Sequence, residues 1–145
     1  MADLVLAILH HLFVFALFAV LFAEFVSVRC GMEAAAAVRV ARIDAWYGAL
    51  AGLILIVGFA RAIFAAKGWD YYAHNAFFWA KIGTFVVIGL ASVPPTLAFL
   101  RWRRTSATPA NEAVARVRRY LWIEVALFPL LLAFAAAMAR GYGGF

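Results

Sequence analysis

Leu4 to Val28 reads LVLAILHHLFVFALFAVLFAEFVSV, and this stretch decides the fold. A bilayer core about 30 Å thick asks for roughly 17 to 25 consecutive apolar residues in a helix rising about 1.5 Å per residue, and this run meets that requirement. Three further stretches have the same character: Ala45 to Ala66, Phe77 to Leu100 and Leu121 to Ala139. Of the 145 residues, 68% are hydrophobic and 14% charged, with a mean hydropathy of +0.96. A soluble domain is usually roughly 45 to 50% apolar and about 25% charged. The expected fold is therefore all-α, an integral membrane four-helix bundle in a single transmembrane domain over residues 1–145. Its helices are expected at about 4–28, 45–66, 77–100 and 109–139, the apolar part of the last being 121–139. The first stretch reads as a retained helix. Asp3 replaces the basic start of a signal peptide, and Glu24 closes a run with no small-residue cleavage site. The lone Cys30 excludes an internal disulfide, a CxxC pair or a thiolate metal cluster.

Charge sets the expected orientation. Arg29, Arg39 and Arg42 follow the first stretch. Arg101, Arg103, Arg104, Arg116, Arg118 and Arg119 lie between the third and fourth, whereas the second connection has Lys67 against Asp70. Positive residues stay cytoplasmic, so the chain is expected as a multi-pass membrane protein with both termini facing out. The net charge of +6 follows from this topology and from attraction to anionic membrane lipids, and it implies no nucleic acid. Trp46, Tyr47, Trp102, Tyr120 and Trp122 at one side, and Trp69, Tyr71, Tyr72 and Trp79 at the other, read as interfacial belts.

Residues 31–42 read either as a short surface helix or as an extension of the neighbouring spans. Thr108-Pro109 ahead of Glu112 reads as an N-cap with proline at the first helical position. Ser92 and Thr96 stand close enough to satisfy carbonyls freed by Pro94 and Pro95, and Gly48 with Gly52 offers a small-residue step for close helix packing.

An ionisable group in hydrocarbon costs several kcal/mol and marks a site by default. His10, Arg61 and Lys81 lie about 9, 8 and 6 Å inside the same expected end of the bundle, counted at 1.5 Å per residue. His10 falls within about 40° of Asp3 and Glu24 on the first helix, and His11 points about 100° away beside Phe15, Phe18, Phe22 and Phe25. Glu24, Asp44 and Glu124 fall toward the other end, where Arg42, Arg101 or Arg119 are expected to pair with them. An imidazole can ligate haem iron while Arg and Lys pair with the propionates, so haem b is one cofactor that His10, Arg61 and Lys81 suit, with His10 as the iron ligand. His11 and His74 are the lesser candidates, His74 as a second axial ligand. The same cations suit a lipid headgroup or a membrane partner, which makes the chain a non-catalytic accessory or assembly subunit. Simple snorkelling to the interface also accounts for them. Homo-oligomerisation or docking to a larger membrane complex is expected, and no catalysis is assigned. Three histidines do not suffice for two bis-His haems, and no CxxCH, HExxH, GxSxG, P-loop or Rossmann fingerprint is present.

Several short segments are characteristic. They are Leu9-His10, Glu24, Asp44-Ala-Trp-Tyr47-Gly48, Gly58-Phe-Ala-Arg61, Ala66-Lys67-Gly68, Phe78-Trp79-Ala-Lys81, Ser92-Val-Pro94-Pro95-Thr96 and Met138-Ala-Arg140-Gly141. Together they resemble a family of small bacterial four-helix membrane proteins of unknown function, and the resemblance spans nearly the whole chain. The His near the start of the first helix and the Trp-x-Lys near the start of the third are also similar to the HemJ-type protoporphyrinogen oxidase, while Ser92-Pro94-Pro95 departs from its pattern. That similarity implies a haem-linked His10 and an essential basic Lys81.

Overall fold

The computed structural model describes residues 2–64 and 68–145. Four long helices dominate: α1 (Ala2–Ser27), α2 (Ala34–Phe64), α4 (Ala76–Thr105) and α5 (Asn111–Ala139), with a short α3 (Gly68–Ala73) between α2 and α4. Each long helix contains a span long and apolar enough to cross a membrane. The expected end of the second helix at Ala66, together with Lys67, lies outside the described residues.

Short connections at 28–33 and 106–110 force antiparallel neighbours. α1 packs mainly on α2 and α4 on α5, while α2 meets α4 and α1 meets α5, so the helices close a ring with no close backbone approach across its diagonals. Both termini and the α2–α4 connection lie at one end, here the termini end, and the arginines of the other two connections lie at the opposite, arginine-rich end.

A thin core fills the ring: Leu17 and Leu21 from α1, Val40 and Ile54 from α2, Ile88 and Phe99 from α4, Leu121 and Phe128 from α5. Elsewhere large apolar side chains point outward, among them Phe15, Ile56, Leu90 and Leu132. A helix apolar all round is stable where its outer face meets lipid, and this pattern accounts for the exposed belt.

Several local expectations are corrected. Of the two readings of residues 31–42 the extension holds, since residues 34–42 belong to α2, which begins well before the expected start at 45. α5 begins at Asn111 with Ala110 as its N-cap and no side-chain cap, so Thr108 and Pro109 precede the helix. Asn111 instead reaches across to the first connection, its Oδ1 accepting from Gly31 N–H at 2.9 Å. Gly48 and Gly52 admit no close neighbour, since a β-carbon at either would meet nothing within 4 Å. Ser92 donates to the Gly89 carbonyl at 2.8 Å, and Thr96 donates to Asp44 on the neighbouring α2, so neither satisfies the carbonyls one turn before the prolines. Trp46, Trp122, Trp69 and Trp79 are exposed as a belt requires, but Tyr47, Tyr72 and Trp102 are core residues.

Candidate functional site

The polar side chains of the spans gather in two layers. His10 and Glu24 are fourteen residues apart on α1, and Lys81 and Thr96 fifteen apart on α4, which at about 1.5 Å per residue separates the layers by roughly 21 to 23 Å. Leu17, Ile54, Ile88 and Phe128 fill the space between them.

At the termini end, His10, His11 and Lys81 line a cavity of about 120 Å³ whose walls include Phe59, Phe78, Phe85 and Phe128. Phe15, Phe18 and Phe22, expected on the His11 side of α1, are exposed there together with His11. The His10 ring lies against Gly58 of α2, and its Nδ1 is buried there without a hydrogen-bond partner. Nε2 is the ring nitrogen not enclosed in this way. Arg61 is within electrostatic range of both His10 and Lys81, and its Nε is buried without a partner. Lys81 Nζ stands 5.7 Å from the centre of the Phe78 ring. Among the described residues no carboxylate lies within ion-pair distance of Arg61 or Lys81, and the carboxylate of Asp70 stands 3.3 Å from His74 Nδ1. His10 and Lys81 therefore share the cavity wall, and Arg61 stands within electrostatic range of both without lining it. His11 lies at the exposed rim, bonded through Nδ1 to the Ala7 carbonyl at 2.6 Å. His74 does not reach the cavity and is held by the Asp70 carbonyl and carboxylate.

The position of Lys81 depends on a residue that the sequence reading passed over. Buried Asn75 caps α4: its Oδ1 accepts from the backbone N–H of Phe77 and Phe78 at 3.0 and 3.2 Å, and its Nδ2 donates to the Tyr142 carbonyl at 2.9 Å. Ala76 N–H to Gly143 and Phe145 N–H to the His74 carbonyl complete the attachment of the C-terminal tail. An asparagine directly before an apolar run is a recognisable N-cap signal and could have located this junction.

In the second layer, Glu24, Asp44 and Glu124 are 1%, 7% and 0% exposed. The expected ion pairs with Arg42, Arg101 and Arg119 do not form: those arginines are exposed, and the acids face inward toward one another. The reason is azimuth. Depth alone placed acids and arginines at one level, but the helices turn the acids into the ring and the arginines out of it. Among the described residues no three His, Cys, Asp or Glu side chains lie close enough to hold a metal ion.

A ring of four membrane-spanning helices with a cationic, histidine-bearing cavity near one end defines a small polytopic membrane protein with an internal polar site. The chain matches the family described as "Predicted membrane protein (DUF2214)" over residues 2–143 and belongs to it. No curated protein and no solved structure matches the chain.

Proposed function

We propose that the protein binds an amphiphile carrying acidic groups, held at the termini end by Arg61 and Lys81 with its apolar body in the cavity beside His10. The observation that carries this reading is the pairing of two inward cations lacking carboxylate partners with an imidazole whose Nδ1 is buried and unpartnered. Uncompensated cations inside a membrane segment call for an anion, and the aromatic and aliphatic walls call for an apolar body. His11, Leu55, Phe59 and Leu132 line the cavity and are themselves exposed, so it opens sideways toward lipid.

Two occupants share this chemistry. Haem b fits the donor set: His10 Nε2 for the iron, Arg61 and Lys81 for the propionates, and the phenylalanines for the macrocycle. The enclosed volume of about 120 Å³ is below the roughly 300 to 1,000 Å³ of ordinary ligand pockets, so a macrocycle would have to occupy the lateral opening as well. Bound haem would supply one-electron chemistry, making this a redox or haem-metabolism protein. An anionic lipid is the other occupant, and with it the chain is a non-catalytic accessory or assembly subunit. We assign the protein to the bacterial inner membrane, as the family resemblance implies, and the arginine distribution supports an orientation with the termini end periplasmic.

The absorption spectrum of protein purified in mild detergent and supplemented with haem separates the occupants. A Soret band lost in His10→Ala and kept in His11→Ala supports haem. The absence of any Soret band, with an acidic phospholipid extracted in stoichiometric amount, supports the lipid. Neither result leaves the site without a ligand and contradicts the proposal.

A further inference from the structure

Three helices each bring one buried carboxyl group to the second layer. Glu24 comes from α1, Asp44 from α2 and Glu124 from α5. Glu24 is within electrostatic range of both other acids. Tyr47 of α2 faces Glu124 but completes no hydrogen bond of good geometry to it. From α4, Thr96 Oγ1 donates to Asp44 Oδ1 at 2.7 Å. The cation that α5 contributes nearby, Arg118, is committed elsewhere: its Nη1 donates to the carbonyls of Val28 and Phe25 at 2.6 and 3.3 Å, and its guanidinium lies over the Phe25 ring.

Glu24 Oε2 and both carboxyl oxygens of Glu124 are buried with no hydrogen-bond partner. Three carboxylate charges in apolar surroundings with no cation opposite them are not a stable arrangement, so positive charge must be supplied to the cluster. The carboxyls are too far apart to form a metal's coordination shell. A proton needs no shell, and it converts each unpartnered acid to a neutral group.

The route to the cluster is also visible. A cleft of about 290 Å³ between α2 and α4 is lined by Asp44, Tyr47, Ser92 and Thr96, with Arg103 at the arginine-rich end. Toward the other end its lining turns apolar with Ile88 and Phe85, and Phe85 also lines the His10 cavity.

We infer that Glu24, Asp44 and Glu124 form a proton-binding site inside the membrane, filled and emptied from the arginine-rich end along the α2–α4 cleft by way of Asp44 and Tyr47. The proton comes from water at that end and returns there. Each transfer makes and breaks only O–H bonds, with no redox partner. Glu24 and Glu124 hold the protons, and Asp44, which accepts from Thr96, receives them from the cleft. This inference stands whether or not the His10 cavity binds an amphiphile.

The full-length protein in lipid nanodiscs is treated at neutral pH with dicyclohexylcarbodiimide, which adds to protonated carboxyls in apolar surroundings, and is mapped by peptide mass spectrometry. Labelling of Glu24 and Glu124 should exceed that of the exposed Glu33 and Glu112 by an order of magnitude. The infrared spectrum should show a protonated-carboxyl band that weakens in Glu124→Gln and disappears when Glu24→Gln is added. Equal labelling of all four glutamates, or no such band in the wild type at neutral pH, overturns the site. The wild-type readings decide the matter even if the variants fail to fold. For the route, Gly89→Leu places a side chain in the cleft, where a β-carbon meets nothing within 4 Å. It should slow the deuterium shift of the band several-fold, and an unchanged rate overturns access through the cleft.

Discussion

The His10 imidazole is seated on Gly58: a β-carbon there would lie 3.3 Å from His10 Cε1 and 3.6 Å from Nδ1. The contact joins α1 to α2 and fixes which ring nitrogen is enclosed. A β-carbon at Gly58 would press on the ring and shift it by a few tenths of an ångström, and a branched side chain would shift it further. Gly58→Val should displace the ring and lower the amount of ligand retained on purification several-fold, with helix content unchanged by circular dichroism. Gly52→Ala, at a position with open space, is the control and should retain ligand fully. Equal retention in both variants would separate His10 from the site.

Asn75 ties together the start of α4, the C-terminal tail and the short connection. Asn75→Ala removes the cap and strands the Tyr142 carbonyl, at a cost of about 1 to 3 kcal/mol. A thermal shift in detergent measures this. Removal of residues 142–145 should cost a similar amount, and the two changes together should cost less than their sum because they break one junction. Full additivity would show that the cap and the tail act independently.

Glu124 has no cationic partner, so Glu124→Gln, which resembles the neutral acid in shape, should change stability by less than about 1 kcal/mol. Loss of one member of a buried ion pair costs about 3 to 5 kcal/mol. Arg42→Ala and Arg119→Ala, both at exposed positions, should stay within about 0.5 kcal/mol of the wild type. A large loss in any of these three, measured by thermal unfolding in one detergent, would restore the ion-pair expectation.

The four spans were legible because run length and hydropathy report directly on the bilayer. The company of His10, Arg61 and Lys81 was legible because counting residues gives depth, and depth was enough to bring them to one level. The acids were misread for the same reason. Depth placed Glu24, Asp44 and Glu124 beside arginines, but only azimuth could tell which groups face inward. Part of that azimuth was present in the sequence, since Glu24 lies within about 40° of His10 on α1, and a face carrying an inward histidine carries an inward acid too. Tyr47 and Trp102 were misplaced because interfacial and core aromatics have the same sequence signature. The seat of His10 on Gly58 could not be read, because no periodicity reports which two helices touch at a given turn.

The proposed orientation rests on the arginines of the first and third connections. Reporter fusions at Phe145 and within 105–112 should give periplasmic and cytoplasmic signals respectively. A cytoplasmic signal at Phe145 would invert the protein and place the His10 cavity on the cytoplasmic side.

Native mass spectrometry of the wild type beside an Arg61→Ala, Lys81→Ala double variant tests the central claim most directly. The wild type should carry one adduct per chain with the mass of haem b or of an acidic lipid. The double variant should lose it, and an Arg39→Ala, Arg42→Ala control at exposed positions should keep it. A wild type with no adduct after supplementation with both candidates, or an adduct retained equally by the double variant, would contradict the proposed site.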